Sequence, residues 1–110
     1  MSEHMATVRW DRRDDGFLKG KYSREHTWTF DGGAIVPASA APSNVPLPFC
    51  NPACVDPEEA FVAAISSCHM LWYLHLASQA GFQIDRYEDA AVGRMTKNGD
   101  GVLWVSEVDG

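Results

Sequence analysis

The chain has 110 residues, 45% of them hydrophobic and 22% charged, and a formal charge of −6. That length suits a single domain of soluble composition over residues 1–110, and the negative balance argues against nucleic acid or an anionic membrane as partner. Three cysteines at irregular spacing are too few for a disulfide framework, so they are expected to be thiols.

No apolar leader is expected at the front, because Arg9, Arg12, Arg13, Asp14 and Asp15 interrupt any hydrophobic run; the cytoplasm is the expected compartment. Residues 6–11 mix β-branched and aromatic side chains and read as a strand, as do residues 22–30, where Tyr22, Arg24, His26, Trp28 and Phe30 fall on alternate positions. Asp31-Gly32-Gly33 is a turn signal, and residues 34–36 continue as a short antiparallel strand. From Pro37 to Pro57 the prolines exclude regular structure and give a long, stiffened loop, which Val45, Leu47 and Phe49 are expected to pack against something.

A helix is predicted from about Pro57 to Ala80. Asp56 is a good N-cap, Pro57 suits the first helical position, Glu58 and Glu59 complement the positive end of the helix dipole, and Gly81 supplies the stop. The run is apolar on nearly every side and long enough to raise the question of a membrane span. His69, His75, Ser66, Ser67 and Ser78, together with the caps, lead us to read it as a buried core helix of a soluble protein. Beyond it, residues 87–95 and 102–108 flank Asn98-Gly99-Asp100-Gly101 as a hairpin. The order is β-β-β, loop, helix, β-β: an α+β chain whose helix needs more cover than five strands provide, from a second helix or a partner subunit.

Chemistry centres on Cys68, in the middle of that helix. Buried, it is a small inert hydrophobe. If reactive, it works as a thiolate and needs a nearby cation, for which Arg24, His26, His69 and His75 are the candidates, since the helix dipole fades beyond its first turn. His69 and His75 are six residues apart and share no helix face, which argues against a joint metal site. Cys50 and Cys54 have a zinc-compatible spacing but no second ligand pair follows, so no metal is expected; a redox-sensing loop remains a further reading.

The segment Asp56-Pro57-Glu58-Glu59-Ala60-Phe61, followed by small residues and Cys68, resembles the central helix of the OsmC/Ohr family of osmotically inducible and organic hydroperoxide resistance proteins. Tyr22-Ser23-Arg24-Glu25-His26 and Phe30-Asp31-Gly32-Gly33 are similar to an OsmC-like subgroup, and the resemblance spans residues 8–108. It implies an intertwined homodimer acting as a thiol peroxidase on small organic hydroperoxides, with an external dithiol or thiol-carrier reductant and no bound cofactor. In that reading Cys68 matches the peroxidatic cysteine, Glu58 the glutamate that pairs with an active-site arginine, and Arg24 that arginine, with His26 as the alternative.

Glu58 and Cys68 stand ten residues apart, about 15 Å along a helix axis, so Glu58 would act across a dimer interface. Phe49, Phe61 and Trp72 are candidate contacts for the peroxide's hydrocarbon part. Family members usually continue with another strand, a second long helix that carries a second cysteine, and a further hairpin. None of these is present here, so the chain reads as lacking the family's C-terminal third, with Cys54 or Cys50 as the intrachain candidates for a resolving thiol. The competing function is a non-catalytic OsmC-like dimer or binding protein that has lost recycling.

Overall fold

The alternating β-branched and aromatic residues at the front of the chain form an antiparallel sheet in the computed structural model, which describes residues 2–97 and 103–109, with side chains through Arg94. Two compact units, Met1–Pro57 and Glu58–Gly110, make up the chain. In the first, β1 (Ala6–Arg9), β2 (His26–Phe30) and β3 (Ile35–Ala38) lie in that order, with Val8 opposite Trp28 and Trp28 opposite Val36. The expected meander is therefore present.

Its turn closes as the sequence suggests. Gly33 donates to Phe30 O at 2.9 Å and Phe30 N to Ala34 O at 2.9 Å, with Gly33 at φ 97°, a left-handed position that a side chain would strain. The strands are shorter than predicted. Residues 22–25 leave the ladder because their hydrogen bonds go elsewhere: Arg24 N donates to Phe49 O at 2.9 Å, and the Glu25 carboxylate to which Arg13 and Asn51 donate lies outside the strand. Arg24 is thus on a loop. Trp10 also turns out of β1, and its indole packs on Phe17 and Tyr22 with ring centroids 5.6 Å away in each case. Phe17–Lys19 form a single tight helical turn that the sequence reading missed.

Pro37 was expected to exclude regular structure, yet it lies inside β3. It needs no N–H there. Its carbonyl accepts Val55 N at 3.0 Å, Ser39 N donates to Val55 O at 2.9 Å, and the two strands of backbone run parallel at Ala38 and Val55. The proline-rich loop is therefore fastened to the sheet it leaves. Ala38, Ser39, Ala41 and Cys50 are the buried residues at this junction, and the fully buried Ser39 hydroxyl is satisfied by accepting Asn51 N at 3.0 Å.

The second unit is built on α1 (Pro57–Gln79). Its stop is the one predicted: Gly81, at φ 84°, donates to Ser78 O at 3.2 Å while Phe82 N reaches back to Ala77 O at 2.9 Å, the paired bonds that end a helix on a left-handed glycine. Within the single chain no residue of α1 is buried, as expected of an apolar helix that needs further cover. The reason is visible in the cover. Residues 82–91 return along one side of the helix, with Tyr87 against Tyr73 at 5.7 Å between ring centroids and Ser66 donating to Asp89 at 2.7 Å, and leave the other side open.

By length and mean hydropathy (1.4), α1 also meets the composition of a membrane span. β4 (Val92–Lys97) and β5 (Leu103–Asp109) pair antiparallel, with a register shift between Arg94 and Met95 that marks a bulge. The first half of the strand predicted over residues 87–95 is instead the segment that covers α1. The Asn98-Gly99-Asp100-Gly101 turn lies outside the described residues.

Space is open around the position a Cβ would take at Gly81, so Gly81→Ala costs only the left-handed backbone strain. We expect a loss of about 1–2 kcal/mol, read as a lower denaturant midpoint with an unchanged slope.

Candidate functional site

The residues singled out in the sequence fall into two sets. Arg24, His26, Phe49, Cys50 and Cys54 belong to the first unit; Glu58, Phe61, Cys68 and Trp72 belong to the second.

In the first unit, an apolar cavity of about 600 Å³ opens beside the sheet, and Val8, Trp10, Phe17, Tyr22, Arg24, His26, Ala40, Val45 and Pro57 line it. No carboxylate is among these walls. Arg24 is half-buried, with its guanidinium carbon 3.5 Å from the centroid of the Tyr22 ring and its Nη1 donating to Gly20 O at 3.4 Å and to Tyr22 O. The aromatic face and two carbonyls together hold a cation in a largely apolar place. Arg9, Arg12, Arg13 and Arg86 each carry a carboxylate partner, whereas Arg24 makes no ion pair among the described residues.

His26 has both ring nitrogens engaged. Nδ1 donates to Arg24 O at 2.7 Å, and Nε2 accepts the Trp28 indole N–H at 3.1 Å, which fixes the tautomer because an indole can only donate. In this arrangement His26 braces the backbone of Arg24 and has no ring nitrogen left over for a second partner.

Glu25 is the residue that the sequence reading passed over. Its carboxylate accepts from Arg13 at 2.9 Å, Ser23 at 3.2 Å and Asn51 at 2.8 Å, and the Cys54 thiol lies 3.9 Å from it. Hydrogen bonds from Asn51 and then Arg13 hold the Glu25 carboxyl below the usual carboxylate range. The same carboxylate acts in the opposite sense on Cys54, whose thiol is pushed up by burial first and by the charge and hydrogen bond of Glu25 after it. Cys54 is thus kept as a thiol that donates, and Cys50 is buried. Phe49 contributes its backbone, accepting Arg24 N and donating to Pro46 O at 3.0 Å.

On α1, Phe61, Ile65, Cys68 and Trp72 recur at spacings of four, three and four, so they share one face of the helix. That face is open: Phe61 is 50% exposed, Trp72 67%, and Cys68 is exposed. The covered face carries Ser66 and, with Glu59, Met70 and Asp89, lines a cavity of 460 Å³. Glu58 and Cys68 lie on one uninterrupted helix, which keeps them about 15 Å apart within a chain. Among the described residues no cluster of three or more His, Cys, Asp or Glu side chains is arranged to hold a metal ion.

Together these features define an α+β protein in which an antiparallel meander with a proline-rich loop precedes a long helix presenting a cysteine. The chain belongs to the OsmC-like family. It is similar over 98% of its length, at 51% identity and a TM-score of 0.93, to the solved structure of an OsmC-like protein of unknown function from Vibrio cholerae, of which it covers 71%. No family model and no curated protein matches it.

Exposure orders the thiols. In the folded protein Cys68 should be alkylated by iodoacetamide well before Cys54 and Cys50, as read by peptide mass mapping, and the order should collapse in denaturant.

For Glu25, a carboxyl whose acidity is strengthened by folding contributes stability that is complete above the ordinary carboxylate range and lost as pH falls through the folded value. Glu25→Gln should therefore destabilise the protein at pH 7 and matter less at pH 3. Denaturant midpoints at the two pH values measure the difference.

Proposed function

We propose that the protein is a cysteine-based thiol peroxidase that reduces small organic hydroperoxides, working as a homodimer in the cytoplasm with an external dithiol as reductant and without a bound cofactor. The observation that carries this reading is the contrast among the three thiols. Cys50 is buried and the Cys54 thiol is half-buried and pushed up by burial and then by Glu25, while Cys68 alone is presented on an open apolar face. A nucleophile that must meet an alkyl peroxide needs that setting, an accessible sulfur beside hydrocarbon-binding side chains such as Phe61 and Trp72.

In the reaction the Cys68 thiolate attacks the distal oxygen of the hydroperoxide. The O–O bond breaks, the hydroxyl stays on sulfur as a sulfenic acid, and the alkoxide leaves with a proton as an alcohol. One thiol of the external dithiol then condenses with the sulfenic acid, releasing water. Its second thiol breaks the mixed disulfide and returns Cys68 reduced while the dithiol leaves oxidised.

Arg24 is the cation we assign to the thiolate, since it is the described arginine already held against an aromatic ring and without an ion pair. Glu58 would orient that guanidinium from a second copy of the chain, because the helix keeps it too far from its own Cys68. We assign no resolving role to Cys50, which is buried, or to Cys54, whose thiol is pushed up by burial and by Glu25.

Turnover of cumene hydroperoxide with a dithiol tests the assignment. Cys68→Ser should abolish it, and Glu58→Gln should lower it by roughly ten- to hundredfold, the scale of a lost charge-assisted contact. Mixing the two variants after denaturation and refolding should restore activity, because a mixed dimer pairs an intact Cys68 with an intact Glu58 from the other copy. Full turnover by Cys68→Ser refutes the nucleophile. Stoichiometric oxidation of Cys68 without turnover favours a non-catalytic binding dimer.

A further inference from the structure

We propose that the apolar cavity of the first unit is a binding site for a small amphipathic monocarboxylate, whose carboxylate pairs with the Nε–Nη2 edge of Arg24 and whose hydrocarbon lies against Trp10, Phe17 and Tyr22. The argument starts from the hydrogen-bond inventory of a guanidinium. Both contacts that Arg24 makes to carbonyls, Gly20 O and Tyr22 O, come from Nη1, and its face is spent on the Tyr22 ring. The donors of Nε and Nη2 have no acceptor among the described residues. They form the side of the fork that accepts a carboxylate through two parallel bonds.

The surroundings select the rest of the ligand. The cavity holds 600 Å³, within the size range of small-molecule sites, and no wall residue is acidic. His26, the other basic wall residue, already has both ring nitrogens occupied, so Arg24 is the basic group with donors to spare. Trp10, Phe17 and Tyr22 pack on one another with centroid separations of 4.8 and 5.6 Å, and Trp10 is tied by its indole N–H to Ser23 O at 2.9 Å. Such a wall is pre-formed and loses little freedom when a hydrocarbon settles on it. A neutral alkyl ligand would leave the guanidinium donors unmatched and partly desolvated, and a cationic one would be repelled. A monocarboxylate satisfies both halves of the site.

Binding of this kind requires neither Cys68 nor a peroxide, so it goes beyond the peroxidase reading. Where that reading also holds, a carboxylate on Arg24 competes with Glu58 for the same edge and inhibits turnover.

The test is calorimetric titration with octanoate, 1-octanol and octylamine, carried out on the full chain and on Cys68→Ser so that binding is judged apart from peroxidase activity. We expect octanoate to bind about tenfold or more tightly than 1-octanol, as one charge-assisted pair implies, and octylamine to bind least. Arg24→Gln should bring octanoate down to the level of the alcohol, and Arg24→Lys should keep part of the preference, since an ammonium offers charge without the fork. Phe17→Ala should weaken octanoate and octanol together, leaving their ratio unchanged. Circular dichroism establishes that each variant is folded, and Arg24→Lys answers the question if Arg24→Gln does not fold. The proposal is overturned if octanol binds as tightly as octanoate, if a folded Arg24→Gln keeps the preference, or if octanoate does not bind at millimolar concentration.

Discussion

The carboxylate of Glu25 is the contact on which the first unit depends. Four side chains from three separate stretches meet on it: Arg13 from the turn after β1, Ser23 from the approach to β2, and Asn51 and Cys54 from the proline-rich loop. Each of those stretches is irregular and could not hold a position by backbone ladder alone. A charged acceptor with several donors gives them a common point, and charge-assisted hydrogen bonds are the strong ones. Arg24, the residue just before it, is therefore placed by its neighbour's chemistry as much as by its own.

This arrangement also explains what could be read in the sequence. The front meander, the turn at Gly33 and the cap and stop of α1 were legible because each rests on local rules: alternation, a left-handed glycine, an N-cap followed by proline. The first halves of two predicted strands were not. In residues 22–25 the β-like alternation is real, but the backbone of Arg24 is claimed by Phe49, which is far away in sequence. Pro37 misled in the other direction, because a proline is compatible with a strand where its missing N–H is not needed.

The site was legible in its residue types and not in its partnerships. Cys68 stood out by its place in the helix, and Arg24 by the motif around it, yet nothing in composition says that Glu25 would attend to Cys54 or that His26 would brace a backbone carbonyl. The first is a long-range hydrogen bond, set by the closure of the loop, while the second joins residues only two apart on a backbone that has left the strand. The cover of the helix was hidden for a similar reason: a run apolar on all sides implies cover, but composition cannot say which side the chain itself supplies. Here residues 82–91 supply one, by way of Ser66 and Asp89, and the side bearing Cys68 is left open.

The hydrogen bond between Ser66 and Asp89 has a consequence for how this helix can change. Because each residue turns an α-helix by about 100°, the bond fixes the azimuth of everything that follows it, and Cys68, two positions on, points roughly to the far side. Replacing side chains between them leaves that bearing intact. Inserting or deleting a single residue there would swing the sulfur by about 100° away from Phe61 and Ile65, and would turn Tyr73 away from Tyr87 by the same angle. The helix is therefore tolerant of substitution and intolerant of length change in this stretch, and the direction of the thiol is inherited as a count of residues.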